Sequence, residues 1–224
     1  MSVNFSPKLV LIDLDGTLID TVPDLTRCVD EMMAELSLPL RGEDKVRTWV
    51  GNGVERLVRR ALTDSMDGEP DEALFERAYP IFLKLYHQHN GRFCKLYDGV
   101  KEGLNGLANK NLIVACVTNK AAAFTEPLLK MLGIYDYFAL VVSGDTVERK
   151  KPDPMQLLHA AEHFNIKPEE CLMVGDSVND VKAARAASFS IVCVPYGYNH
   201  GKDIRDSNPD LVIDSLAELL KCIQ

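Results

Sequence analysis

The stretch Leu9-Val10-Leu11-Ile12-Asp13-Leu14-Asp15-Gly16-Thr17 decides how this chain is read. Four consecutive branched apolar residues leave no polar face, as in a strand buried on both sides within a parallel sheet. The run then stops at two carboxylates and a glycine. A strand ending this way delivers acids to the carboxyl edge of a sheet, where open α/β proteins bind their ligands.

Outward from this stretch the pattern recurs. Short runs rich in Val, Ile and Leu lie at 112–117, 140–142, 172–174 and 191–194, with a weaker one at 211–213. Amphipathic helical patterns at 99–109, 121–132, 154–164 and 178–187 separate them. Alternating strands and helices predict an α/β fold with a doubly wound, mainly parallel, Rossmann-like sheet. One interval breaks the rhythm. About 100 residues separate the first strand from the second, where a crossover needs only about a dozen. Helical patterns at 24–37, 54–62 and 71–89 fill it, the last expected to kink at Pro80. Gly51, Gly53 and Asp67-Gly68 mark turns. The interval reads as a helical cap at 19–91 inserted into a catalytic core of 1–18 and 92–224.

The 224 residues carry a net charge of −8, with 46% hydrophobic and 26% charged residues. That composition is globular. Without a basic field, a nucleic acid is not the expected partner; a small phosphorylated metabolite needs only a local cation. No window approaches the length of a membrane span, so no membrane partner is expected. None of the six cysteines forms a C-x-x-C pair, and Cys116, Cys171 and Cys193 sit in apolar runs. Together with an N-terminus that reads as having no secretory leader, this predicts reduced thiols and a cytoplasmic setting. Nothing here predicts an oligomeric state.

Polar residues follow four of the runs. They are Asp13-Leu14-Asp15-Gly16-Thr17, Thr118-Asn119-Lys120, Ser143-Gly144-Asp145 leading to Lys150-Lys151-Pro152, and Gly175-Asp176-Ser177-Val178-Asn179-Asp180. In a parallel sheet all four converge on one crevice. Loops are polar in any protein, but four clusters with complementary chemistry are hard to ascribe to that alone. Asp13 and Asp15 are two residues apart and point to one side of an extended backbone. Asp176 adds a third carboxylate. Oxygen donors with no His or Cys suit a hard ion such as Mg²⁺. Asp180 lies one turn beyond Asp176, at a helix start where an N-capping role is the plain alternative. Gly16 permits a sharp turn and close approach to a ligand. Thr118, neighbouring Asn119 and the ammonium of Lys151 supply phosphate donors, the chief need of phosphoryl transfer.

The four motifs, in this order and over nearly the whole chain, resemble the haloacid dehalogenase-like superfamily. The resemblance implies Asp13 as nucleophile and Asp15 as general acid, then base. It implies Mg²⁺ held by Asp13, the Asp15 backbone carbonyl and Asp176, with Asp180 supporting, and phosphate held by Thr118 and Lys151. The segment Trp49-Val50-Gly51-Asn52-Gly53-Val54-Glu55, the Lys150-Lys151-Pro152 run with Pro154, and Tyr196-Gly197-Tyr198-Asn199 narrow it further, being similar to bacterial phosphoglycolate phosphatases. Ser188 departs from that pattern, standing where a glycine is usual.

The cap segment also reads as a substrate site. The Gly51-Asn52-Gly53 turn precedes a predicted helix whose free amides suit an anion, and Arg56 on its first turn suits a carboxylate. A solvent-facing Arg56 is the bland alternative. Sugar phosphomutases of the same superfamily share these motifs and differ in returning the phosphoryl group to substrate. A dehalogenase has no use for Asp15. Receiver-type signalling domains also combine acids, a hydroxyl and Lys-Pro, at about half this length and without the insert. His159-Ala160-Ala161-Glu162-His163 matches a zinc-peptidase pattern but reads as the polar face of an amphipathic helix.

Overall fold

The computed structural model describes residues 4–224. The chain enters the sheet through β1 (Leu9–Ile12), all four residues buried. It passes a two-residue strand, β2 (Ile19–Asp20), then four helices: α1 (Val22–Glu35), α2 (Glu43–Trp49), α3 (Val54–Thr63) and α4 (Glu72–His89). It returns through β3 (Lys95–Leu96), antiparallel to β2. The outgoing and returning segments are thus stitched together where the helical stretch begins and ends. Helix α4 continues through Pro80 to His89.

The rest alternates. In order come α5 (Val100–Asn109), β4 (Ile113–Val117), α6 (Ala122–Met131), β5 (Leu140–Val142), α7 (Met155–His163), β6 (Cys171–Gly175), α8 (Val178–Ala187), β7 (Ser190–Cys193) and β8 (Leu211–Val212). Six strands form one parallel sheet in the order β5-β4-β1-β6-β7-β8. The predicted doubly wound α/β fold is present.

Period-two alternation divides the strand side chains between two faces. Val10 and Ile12 join Val114, Cys116, Leu172 and Val174 on one face, under α5 and the C-terminal turn. Leu9 and Leu11 join Ala115, Val117, Cys171 and Met173 on the other, under α7 and α8. A third cluster belongs to α1–α4 and also takes in Phe124 and Tyr198 from the sheet side. The helical stretch therefore has its own core and a seam with the sheet. Ser188 ends α8 at φ 62, the left-handed position where glycine is the easy residue.

Between strand and following helix, β1 lies centrally and feeds the crevice with Asp13. On its two sides, β4 and β6 end in Thr118-Asn119-Lys120 and Asp176. Sheet order thus brings together residues far apart in the chain.

Candidate active site

Asp13 follows β1, its amide donating to the Val174 carbonyl at 2.9 Å. Its Oδ1 accepts from Leu14 N at 2.8 Å and lies 2.8 Å from Lys151 Nζ. Both contacts fall on one oxygen, so among the described residues Oδ2 has no protein donor. The Lys151 ammonium also reaches Asp180 Oδ1 at 2.7 Å and the Val117 carbonyl at 2.8 Å. Its three N–H donors therefore have three acceptors. Gln156, wholly buried, fixes the neighbouring backbone: it accepts from Lys151 N and donates to the Thr118 and Ser143 carbonyls.

Asp180 holds two jobs. Its Oδ2 accepts from Ser177 N and Ser177 Oγ, closing a capping box on α8, while Oδ1 holds Lys151. Ser177 is the N-cap of α8, and Asp180 serves as the N3 partner of its capping box while holding Lys151. Asp176 Oδ1 accepts from Thr17 Oγ1 at 2.9 Å, and Oδ2 from Tyr198 N. Gly16 lies under this group at φ 89: a Cβ there would strike the Asp176 carboxylate and the Tyr198 ring. Its amide donates to the Ile19 carbonyl at 2.9 Å. The space a side chain would take at Gly16 is filled by Asp176 and Tyr198, and Gly16 lines neither of the two cavities that meet at the site.

Asp13, Asp176 and Asp180 each offer an oxygen, all within 4.8 Å of one another. Burial pushes the Asp13 carboxyl up to about 7; Lys151 pulls the other way and Asp180 adds to the rise. Burial likewise raises Asp176 well above the usual carboxylate range, with Asp180 and Asp13 contributing. Three buried acids against one ammonium are an unfavourable arrangement that a hard cation relieves. The donor set fits a metal of that class. The Asp15 side chain is not in this cluster; it turns to Lys120, whose Nζ lies 2.9 and 3.2 Å from its oxygens.

Lys120 is a site residue that the sequence reading passed over. Its side chain is 2% exposed. Burial disfavours the charge, but Asp15 and Tyr86 together more than offset this, and the ammonium is held more strongly protonated than a free lysine. Tyr86 of α4 closes over it, the ammonium 5.0 Å from the ring centroid. Asn119 donates to the carbonyls of Gly51 and Lys151, both at 2.9 Å, and Asn179 to Gly51 at 3.3 Å. One carbonyl on the α2–α3 turn thus takes side-chain amides from the end of β4 and from the first turn of α8.

Two narrow cavities meet here. One, about 10 Å³, lies among Asp13, Lys151, Asp176 and Asn179. The other, about 30 Å³, runs between Lys120 and α3. Asp15, Gly51 and Asn119 line both. Thr118 is buried beneath them, its Oγ1 accepting from Lys120 N at 3.2 Å, and lines neither. Asn52 lines neither, although its neighbours Gly51 and Gly53 line the second.

Arg56 is not brought to the site. Its guanidinium pairs with Glu69 and donates to the Met66 carbonyl at 2.9 Å. A loop supplies those acceptors, so the expected carboxylate reader is engaged by its own segment. Arg60 is 6% exposed and donates to the carbonyls of Met66 and Trp49. Tyr198 follows β7 and reaches back to the start of α1. Its hydroxyl accepts from Thr21 N at 2.8 Å and Val22 N at 3.2 Å and donates to Asp20. His159 and His163 stay on α7; among the described residues they form no metal cluster.

Residues 7–188 match the family of haloacid dehalogenase-like hydrolases. This chain belongs to that family. Among curated relatives of this haloacid dehalogenase-like hydrolase, a phosphoglycolate phosphatase of Nitrosococcus oceani is 63% identical over 95% of each chain. Another, of Thiobacillus denitrificans, is 51% identical over 94% of this chain and 93% of its own. The crystal structure of a predicted phosphoglycolate phosphatase from Haemophilus somnus 129PT superposes with a TM-score of 0.91 at 34% identity. That likeness covers 96% of this chain and 97% of the other. Among the described residues, no helix of this hydrolase is long and apolar enough to cross a membrane.

Proposed function

We propose that this hydrolase is a Mg²⁺-dependent phosphatase that converts 2-phosphoglycolate and water to glycolate and inorganic phosphate. The observation that carries the reading is a buried carboxylate–lysine cluster beside a small cavity. About 30 Å³ is room for roughly two waters, which favours a short leaving group over a sugar. The phosphoglycolate phosphatases among the relatives support the same substrate.

Asp13 Oδ2 attacks phosphorus. The ester P–O bond breaks, its electron pair stays on the glycolate oxygen, and Asp15 gives that oxygen its proton. Asp15 then takes a proton from water as the water oxygen attacks phosphorus. The bond from phosphorus to Asp13 breaks and the carboxylate returns. Lys151 holds Asp13 in aim and offsets charge on the phosphoryl oxygens, with Thr118 and Asn119 fixing the loop beside it. Asp13, the Asp15 carbonyl and Asp176 would hold Mg²⁺, with Asp180 supporting. When bound, it supplies charge neutralisation for the phosphoryl group.

Residues 19–91 act in this reading as a cap over a core of 1–18 and 92–224. The separate apolar cluster of α1–α4 and the β2–β3 pair at its base support that division. Inorganic phosphate release from a panel of esters with Mg²⁺ tests the whole. Phosphoglycolate should lead hexose phosphates and nucleotides by about tenfold or more in kcat/KM, a difference of about 1.4 kcal/mol in transition-state binding. A preference for hexose phosphates would overturn the substrate while leaving the phosphatase chemistry.

A further inference from the structure

The phosphoryl end of the site is dense with charge, but it reads only what every phosphate ester shares. Discrimination has to come from the second cavity. Its walls include Leu25, Val54, Leu57 and the Tyr86 ring. Among the described residues, Lys120 is the only cationic side chain lining it. The Tyr86 hydroxyl, on a wholly buried residue, faces the Lys120 ammonium but has no acceptor for its own proton. A buried hydroxyl proton left without an acceptor is uncommon and is relieved when a ligand supplies one. An ammonium and an unused O–H therefore border a space otherwise largely apolar and sized for two or three heavy atoms.

We propose that Lys120 and Tyr86 together read the carboxylate of the leaving group, Lys120 as its counter-ion and Tyr86 as a hydrogen-bond donor. This rests on the phosphoglycolate reading and names the residues behind it. The cavity lies next to Asp15, which Lys120 also holds. A carboxylate drawn to that ammonium sets its ester oxygen beside the acid/base group, so recognition and proton transfer share one anchor. Competition for the ammonium's N–H donors also frees an Asp15 oxygen to turn toward the ester oxygen. The loss of Lys120 should accordingly lower kcat as well as raise KM.

Matched substrates test this. Ethyl phosphate has the heavy-atom skeleton of phosphoglycolate without its carboxylate. Lys120→Met should lower kcat/KM for phosphoglycolate by about 100-fold or more and for ethyl phosphate by less than about tenfold. Tyr86→Phe removes only the hydroxyl and keeps the ring that packs over Lys120, so its fold should be safe. It should lower the phosphoglycolate value by about fivefold to tenfold and leave ethyl phosphate within about twofold. Calorimetric binding of the inert pair 3-phosphonopropionate and propylphosphonate, with Mg²⁺, gives a readout independent of turnover. Wild type should favour the carboxylate, and both variants should lose that preference. Equal losses on both esters, with the binding preference intact, overturn the role of Lys120 and Tyr86. A wild-type protein indifferent to the carboxylate instead overturns the phosphoglycolate reading.

Discussion

Lys120 lies just beyond β4 and Lys151 in the loop leading from β5 to α7; Arg56 and Arg60 lie on α3. The two lysines are almost completely enclosed, and each has a carboxylate of the D-x-D motif against its ammonium. The two arginines are tied to carbonyls and acids of their own neighbourhood, Met66, Trp49 and Glu69. The same formal charge thus does different work. Just beyond β4 the sheet dictates the backbone direction at Lys120, and Gln156 ties the Lys151 backbone to the neighbouring strand-end loops, so both side chains are aimed before any ligand arrives. On a helix, the direction depends on what packs beside that helix, and here a loop claims the guanidinium groups.

The largest effect that can sharpen this contrast is expected at Asp13. Asp13→Asn keeps the volume and removes the attacking oxygen, so phosphate release should fall by at least about 1,000-fold. Thermal melting of the metal-free protein should not drop, because the substitution also removes a buried acid from a crowded cluster. Activity near wild type in a contaminant-free preparation breaks the strand-end side of the comparison.

Next in size is the linkage between metal and protons. Burial raises the Asp13 carboxyl to about 7 in the metal-free site. Below that pH the carboxyl is protonated, and a cation has to displace the proton to bind. The Mg²⁺ concentration for half-activation should therefore rise as pH falls below about 7, by up to about tenfold per unit for one displaced proton. A half-activation point that stays level from pH 8 to pH 5.5 would remove Asp13 from the metal site.

The smallest effects belong to α3. Arg60→Ala leaves buried carbonyls without donors and should lower stability by about 1–3 kcal/mol, visible as a lower Tm, with turnover at low temperature kept. Arg56→Ala removes partly exposed contacts and should change kcat/KM for phosphoglycolate by less than about twofold. A selective tenfold loss in the Arg56 variant would put the guanidinium back in the site and erase the contrast.

The same distinction explains what was legible in the amino acids. Parallel strands are buried on both faces, so β1, β4, β6 and β7 show as unbroken apolar runs, and their ends carry Asp13, Asn119 and Asp176 to one crevice. Helix α2 has seven residues, and β2 and β3 have two each. Elements that short give no period to detect. A glycine such as Gly16 does not reveal in sequence which neighbour needs the space, here the Asp176 carboxylate and the Tyr198 ring. Lys120 reads like any solvated lysine until α4 brings Tyr86 across it. Tyr86 itself reads as one more core aromatic, since only tertiary packing leaves its hydroxyl without an acceptor.

Tyr198 ties two of these regions by opposite ends of one residue. Its amide holds an oxygen of Asp176, and its hydroxyl accepts the first amides of α1. An aromatic ring neither stretches nor shortens, and this one is buried with little room to swing. It works as a rigid strut: the start of α1 cannot shift away from the sheet without either breaking a hydrogen bond or tugging the Asp176 carboxylate. The placement of the helical segment and the aim of that acid are, mechanically, a single coordinate.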